Sequence, residues 1–229
     1  MVKDSRPPRP RHRLYAALYD LGCRLCERGM APLREFVAGE AAGRVLEIGA
    51  GTGANLPYYR WAFLDAVELT EPDPFMLRRA ERRAARMPPY AREKLRLTEA
   101  PAEALPFPDA AFDTVVATLV LCSVRELERA VAEVRRVLKP GGCFRFLEHV
   151  GGGGAEAKVQ RAVQPVYGLL AAGCHLTRRT EDALHNAGFA VEVERRPRFG
   201  PLFPAILGVA RKAQGATGEE DGAESHTPA

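Results

Sequence analysis

The 229-residue sequence has no apolar run near the roughly 18–20 residues that a membrane span requires. Its opening, "MVKDSRPPRPRHR", also has no apolar stretch that could act as a secretory signal. These two absences lead to the expectation of a soluble, cytoplasmic protein. Cysteine is scarce: five residues, an odd number in a chain without a recognisable leader, argue against a disulfide framework and for reduced thiols. Cys23 and Cys26 form a C-x-x-C, but no second pair stands at zinc spacing. Their surroundings, "LYAALYDLGCRLCERG", have helical apolar spacing, so helix packing is expected there, and no metal is expected in the protein.

What is present suits one compact domain, since 46% of the residues are hydrophobic. The formal charge of +4 conceals two opposed ends. Residues 1–13 carry Lys3, Arg6, Arg9, Arg11 and Arg13 against Asp4 and read as a solvated basic arm. Residues 213–229 carry Glu219, Glu220, Asp221 and Glu224 in a Gly/Ala/Ser-rich setting and are expected to be a disordered acidic tail. The chemistry is therefore expected within residues 14–212.

Hydrophobic periodicity there alternates between strand and helix. "RVLEIG" and "DAVELTE" read as strands, with a short helix expected from Thr52 to about Trp61 between them. Asp73 and Pro74 open a helix running to Met87. "KLRLTEA" and the almost unbroken apolar "FDTVVATLVLCS" are a third and a fourth strand. Ser123 and Glu126 read as a capping box for a helix with Leu127, Val131, Val134 and Leu138 on one face, stopped by "KPGG". "CFRFLEHV" is the fifth strand and "GGGGAEA" a flexible link. A helical stretch that Pro165 should kink or divide follows, then the short helix "TEDALHNAG" and the strands "FAVEVERR" and "PAILGVARK". The pattern predicts an α/β fold with a doubly wound, mostly parallel seven-stranded sheet.

In such a sheet, ligands bind beyond the carboxyl ends of the strands, near the point where strand order reverses. Gly49, Gly51 and Gly53 stand at the end of the first strand, where missing side chains allow the backbone to approach a ligand. Their spacing, G-A-G-T-G, is not the G-x-G-x-x-G of dinucleotide sites. Glu71, at the end of the second strand, is placed to accept hydrogen bonds from both hydroxyls of a ribose. Glu47, two residues before the turn, would repel a phosphate and suits a cation. A sulfonium-bearing adenosine, S-adenosylmethionine, meets both conditions.

"VLEIGAGTGANLPYY", "EPDP", "AEALPFPDAAFD", "LKPGG" and "LEHV" together resemble the class I S-adenosylmethionine-dependent methyltransferases over nearly all of residues 43–212. Within that superfamily, "TLVLCSV", "EVRRVLKPGG", "EHV" and "GCHLTR" are similar to the thiol S-methyltransferases of the methyltransferase-like group. The resemblance implies that Glu47, Gly49, Gly51 and Gly53 surround the methionine part of the cofactor and Glu71 its ribose. Ala102 and Glu103 match the segment passing the adenine. Many relatives place an acid before that pair where this chain has Pro101, so the adenine contact falls to a backbone amide or to Glu103. Thr118 and Leu119 would lie against the sulfonium. Residues 14–42 would form a helical lid over the acceptor, with Tyr15 and Tyr19 as lid contacts. The apolar N-terminal anchor of the animal proteins is lacking.

Methyl transfer from a sulfonium is an in-line displacement that depends mostly on positioning, and a thiol with pKa near 8.5 is already a few per cent thiolate at neutral pH. His149 is the candidate for removing the thiol proton or steadying the thiolate, its alternative being a structural histidine beside Glu148. Cys122 reads as pocket wall, and Cys174 and His175 as residues facing the acceptor. A small-molecule thiol is the expected acceptor, from a xenobiotic or secondary metabolite. The alternatives are O-, C- or N-methylation of a phenol, quinone or amine, or a cofactor-binding protein without turnover. No obligate protein partner is evident. Nucleic acid is not an expected partner, because the Asn/Asp-Pro-Pro-aromatic signature and any RNA-binding module are missing.

Overall fold

The computed structural model describes residues 28–170 and 173–214. Seven strands form one sheet: β1 (Gly43–Ile48), β2 (Leu64–Thr70), β3 (Leu95–Thr98), β4 (Phe112–Thr118), β5 (Leu138–His149), β6 (Phe189–Arg195) and β7 (Ala205–Lys212). Their order is β3-β2-β1-β4-β5-β7-β6, with β7 antiparallel to both neighbours and the remaining pairs parallel. The expected doubly wound sheet is therefore present. Chain direction across it reverses between β1 and β4, and this puts the glycine turn after β1 at the switch point.

Side-chain alternation divides the core between the two faces. Leu46 and Ile48 of β1, Val115 and Ala117 of β4, and Phe144 and Phe146 of β5 pack on one face. There they meet α4 (Leu127–Val137), through Ala130, Val131 and Val134, and α6 (Thr180–Asn186), through Ala183 and Leu184. Val45, Val67, Val116 and Leu147 turn to the other face. They meet Met30, Leu33, Val37 and Ala38, which form one stripe of the helix α1 at residues 28–39. Below α1, α2 (Pro74–Ala84) and α3 (Pro89–Lys94) cover β2 and β3.

Several local expectations need correction. The segment expected to be a helix from Thr52 to Trp61 is a turn followed by two short 3-10 turns, Leu56–Tyr58 and Trp61–Phe63, because Pro57 cannot donate and the glycines turn left-handed. The Ser123/Glu126 capping box does not form. α4 starts at Leu127 with no side-chain cap at Glu126, and Glu103 instead holds the approach to the helix, its Oε1 accepting from Arg125 N at 2.8 Å. "KPGG" is the extended beginning of β5 rather than a loop before it. α5 (Gly154–Leu170) begins within the expected glycine link and carries Pro165 in its interior without being divided. α3, which no periodicity announced, is a six-residue helix opened by a proline. In contrast, Asp73 caps α2 as its sequence suggests, Oδ1 accepting from Phe75 N at 2.7 Å and Met76 N at 3.2 Å.

Arg145 is the polar exception on the α1 face. Alternation along β5 buries it between Phe144 and Phe146, 6% exposed. Its guanidinium donates to Phe36 O at 2.6 Å and Val37 O at 3.2 Å, pairs with Glu40 at 2.5 Å and stacks over the Phe36 ring. It thus satisfies the orphan carbonyls at the end of α1 and fixes that helix to the sheet. Arg145→Ala should destabilise the protein by about 2–4 kcal/mol, measured as a fall in Tm. Arg145→Lys should recover only part of the loss, because one ammonium cannot reach all three oxygens.

Candidate active site

The glycine turn is held from behind by a buried carboxylate. Glu47 is 3% exposed; its Oε1 accepts from Asn55 Nδ2 at 2.9 Å and its Oε2 from Tyr59 OH at 2.7 Å. Asn55 also donates to Thr118 Oγ1 at 3.0 Å and accepts from Arg34 Nη1 at 2.7 Å. One network therefore joins β1, the turn, the end of β4 and α1. Glu47 proves to be the turn's internal support, with both oxygens engaged by protein. Burial pushes its pKa up to about 7, against the lowering effects of Tyr59, Arg34 and Asn55.

The turn itself has left-handed backbone at Gly49 (φ 56°), Gly51 (φ 58°) and Gly53 (φ 74°). A Cβ on Gly49 would stand 2.5 Å from Val120 Cγ1, so the turn closes directly on the loop after β4. Glu71 spans the turn from β2: its Oε2 accepts from Gly51 N at 2.8 Å and its Oε1 from Asp73 N at 2.9 Å. Each oxygen retains acceptor capacity, and burial raises this carboxyl above the usual range.

Beyond the turn, β4 ends at Thr118, and Leu119 takes a left-handed φ of 59°, uncommon for a branched side chain. The surroundings fix it: Leu119 N donates to Leu147 O at 2.7 Å, and Glu148 organises the residues that follow. Glu148 is fully buried, accepting from Val120 N at 2.9 Å and Cys122 N at 3.2 Å. Burial raises its pKa to about 7, although the backbone amides of residues 120–122 favour the charged form.

Cys122, His149 and Cys174 converge at this loop, their ligand atoms all within 4.8 Å of one another. His149, the last residue of β5, has its ring against Phe199 and Phe203 and its Nδ1 3.7 Å from Cys174 Sγ. The segment carrying Cys174 is pinned on both sides: His175 N donates to Cys122 O at 2.7 Å, Gln164 Nε2 to Cys174 O at 2.9 Å, and Leu176 N to Gln164 Oε1 at 2.7 Å. The Cys122 thiol proton and His149 both pull the Cys174 pKa down, whereas Cys122 is raised by facing Cys174, by burial and by Glu148.

Two expected site residues face elsewhere. The side chain of His175 is exposed, with Nδ1 3.4 Å from Arg178 Nη2, because its backbone amide is the group that binds the Cys122 loop. Glu103 turns one carboxylate oxygen to the chain before α4, its Oε1 accepting from Arg125 N, while Ala102 beside it is buried. Tyr15, Tyr19, Cys23 and Cys26 lie outside the described residues. The sequence reading missed Arg34, Asn55, Tyr59 and Glu148. The available signals were Asn55 and Tyr59 within "GANLPYY", and an acid inside the otherwise apolar end of β5.

This arrangement fits a cationic nucleoside. No α-helix follows β1, so no helix N-terminus is aimed at a phosphate, and the carboxylates of Glu47, Glu71 and Glu148 surround the strand ends. Thr52 Oγ1, buried within the turn, has no hydrogen-bond partner among the described residues, and a polar atom of a ligand at the turn would supply one.

A doubly wound sheet with a glycine turn at its switch point defines the class as an α/β ligand-binding fold. The family model described as "Methyltransferase domain" matches residues 46–146. Human thiol S-methyltransferase TMT1B is 37% identical over 181 residues, covering 75% of this chain and 72% of the relative. The phosphatidylethanolamine N-methyltransferase of Cereibacter sphaeroides is 40% identical over 107 residues, covering 47% of this chain and 51% of the relative. Among solved structures, the YcgJ protein of Bacillus subtilis superposes with a TM-score of 0.67 at 18% identity, covering 82% of this chain and all of that one. The chain belongs to the class I S-adenosylmethionine-dependent methyltransferases, and S-adenosylmethionine is its cofactor.

A carboxyl with a raised folded pKa binds a proton in the folded protein that the unfolded chain releases near 4.5, so its stabilisation is complete below that pH and is lost as pH rises through about 7. Cys174, shifted downwards, contributes the opposite slope over part of this range. Comparison with Glu47→Gln isolates the carboxyl. Relative to wild type, the stability of this variant should improve by on the order of 3 kcal/mol as pH rises from about 5 to about 8, measured by denaturant unfolding without cofactor. A constant difference across the range would contradict a raised Glu47.

Proposed function

We infer that the protein transfers the methyl group of S-adenosylmethionine to the sulfur of a small thiol. The observation carrying this reading is the 37% identity to human thiol S-methyltransferase TMT1B across 72% of that relative. The chemistry of the strand ends supports it, because Cys122, His149 and Cys174 gather at the loop after β4.

In this reading Gly49, Gly51 and Gly53 cradle the methionine part, Glu71 takes the ribose hydroxyls and the backbone at Ala102 borders the adenine. Thr118 and Leu119 line the sulfonium. His149 receives the thiol proton or steadies the thiolate, and the acceptor sulfur then attacks the methyl carbon in line with the departing sulfonium sulfur. Water excluded from the cleft strengthens the attraction between thiolate and sulfonium. The lid expected over residues 14–42 is not formed by α1, which is packed into the core against the sheet; Tyr15 and Tyr19 lie outside the described residues, and no nucleic acid takes part.

An amine acceptor is the second reading, favoured by the 40% identity to a phosphatidylethanolamine N-methyltransferase; that match covers 47% of this chain. Incubation with S-adenosylmethionine and paired thiol, hydroxyl and amine compounds, followed by mass spectrometry, distinguishes them. Methylated thiols without methylated alcohols or amines are expected. His149→Ala should lower kcat by roughly 100-fold or more and flatten its pH dependence near neutrality. Methylation confined to amines or alcohols would remove the thiol assignment.

A further inference from the structure

The three-residue cluster beside the cofactor has the composition and spacing of a soft-metal site. Among the described residues it is the one group of three His, Cys, Asp or Glu side chains whose ligand atoms come this close. Its members are distant in sequence, on the loop after β4, at the end of β5 and on the segment after α5. Around tetrahedral zinc, bonds of about 2.3 Å to sulfur and about 2.0 Å to nitrogen put neighbouring sulfur and nitrogen ligands about 3.6 Å apart. Cys174 Sγ and His149 Nδ1 are already 3.7 Å apart, and no pair in the cluster exceeds 4.8 Å. The remaining approach is on the scale of a side-chain torsion.

The supporting structure is fixed as a metal site requires. Glu148 holds Cys122 through its amide, His175 N holds it through its carbonyl, Gln164 holds the Cys174 segment, and two phenylalanine rings confine His149. Cys122 and Cys174 are buried and unbridged. Two thiolates and an imidazole select zinc or a similarly soft divalent ion over magnesium or calcium.

We propose that Cys122, His149 and Cys174 bind one zinc ion whose fourth position takes the acceptor thiol as a thiolate. This deepens the thiol reading above and rests on it. Binding releases the thiol proton to solvent, so His149 steadies the thiolate through the ion and does not itself receive the proton. A lone pair on the acceptor sulfur forms the new bond to the methyl carbon, while the bond from that carbon to the cofactor's sulfur breaks and leaves its electron pair there. The neutral thioether is a weaker ligand than the thiolate and departs. The three-ligand site with an open position is the arrangement of catalytic rather than structural zinc.

The experiment uses the full chain, reduced and stripped of metal, titrated with zinc against a chromogenic chelator and separately with cobalt. Wild type should bind one equivalent of either ion. The cobalt form should show thiolate charge-transfer bands with the strong visible absorption of tetrahedral coordination, and an added acceptor thiol should perturb them. Cys174→Ser and His149→Asn should each weaken zinc binding by more than about 100-fold. Cys143→Ser, in the middle of β5, and the double variant Cys23→Ser/Cys26→Ser should leave it unchanged. Far-ultraviolet circular dichroism and Tm identify any variant that has failed to fold, and His149→Asn provides a test that leaves both thiols in place.

Wild-type affinity no greater than that of Cys174→Ser would overturn the site. So would loss of binding in Cys23→Ser/Cys26→Ser alone, or a Cys122–Cys174 disulfide in protein that binds no zinc after reduction. Full thiol methylation by the metal-free protein would overturn the ion's role in the reaction. A tetrahedral cobalt spectrum that thiols leave unchanged, in a protein that methylates only amines or alcohols, would locate the failure in the acceptor assignment instead.

Discussion

The cleft depends on a buried carboxyl group whose two oxygens are both held by the protein. Glu47 lies behind the glycine turn with one oxygen on Asn55 and the other on Tyr59, and Asn55 extends the connection to Thr118 and Arg34. Glycines that admit left-handed backbone also cost the unfolded chain more entropy to fix, so a turn containing three of them needs an external reason to adopt one shape. The side-chain network provides it. Because Arg145 secures α1 to the sheet and α1 carries Arg34, a residue in the middle of β5 helps to position an asparagine in the glycine turn.

A second carboxylate, Glu148, performs the corresponding task for the loop after β4. Its oxygens gather amides of the loop after β4 and keep Leu119 in a backbone conformation that it would not choose alone. The two halves of the cleft meet where Gly49 faces Val120 without room for a methyl group between them. Methyl transfer needs alignment above all, and both halves are set by buried charge rather than by apolar packing, which is less directional.

The sequence made the sheet legible because parallel strands covered on both faces are nearly continuous apolar runs, and "FDTVVAT" and "FRFL" are such runs. It also displayed the cap at Asp73 and the glycine turn, whose chemistry is local. Short elements were not legible. The 3-10 turns around Pro57 and the six-residue α3 are too brief for a period to emerge, and tertiary contacts decided them. The capping box misled because Ser123 and Glu126 satisfy a local rule, whereas the chain before the helix is held by Glu103, more than twenty residues earlier, through Arg125 N. The resemblance places Cys122, His149 and Cys174 separately at the acceptor, but that their ligand atoms come within 4.8 Å of one another depends on tertiary contacts that no local pattern displays.

The position of β7 bears on how the chain is made. The strand nearest the end of the described residues is not at the sheet's edge; it enters between β5 and β6, pairing with both. During synthesis β5 therefore emerges, and its parallel partner β4 is available, long before the strand that covers its other side. Until Ala205–Lys212 leave the ribosome, the outer edge of β5 offers a row of unpaired amides and carbonyls flanked by Phe144 and Phe146, and β6 has no partner at all. The nascent protein is most exposed to association with other chains in this interval, and its last-formed strand is the one that ends the exposure.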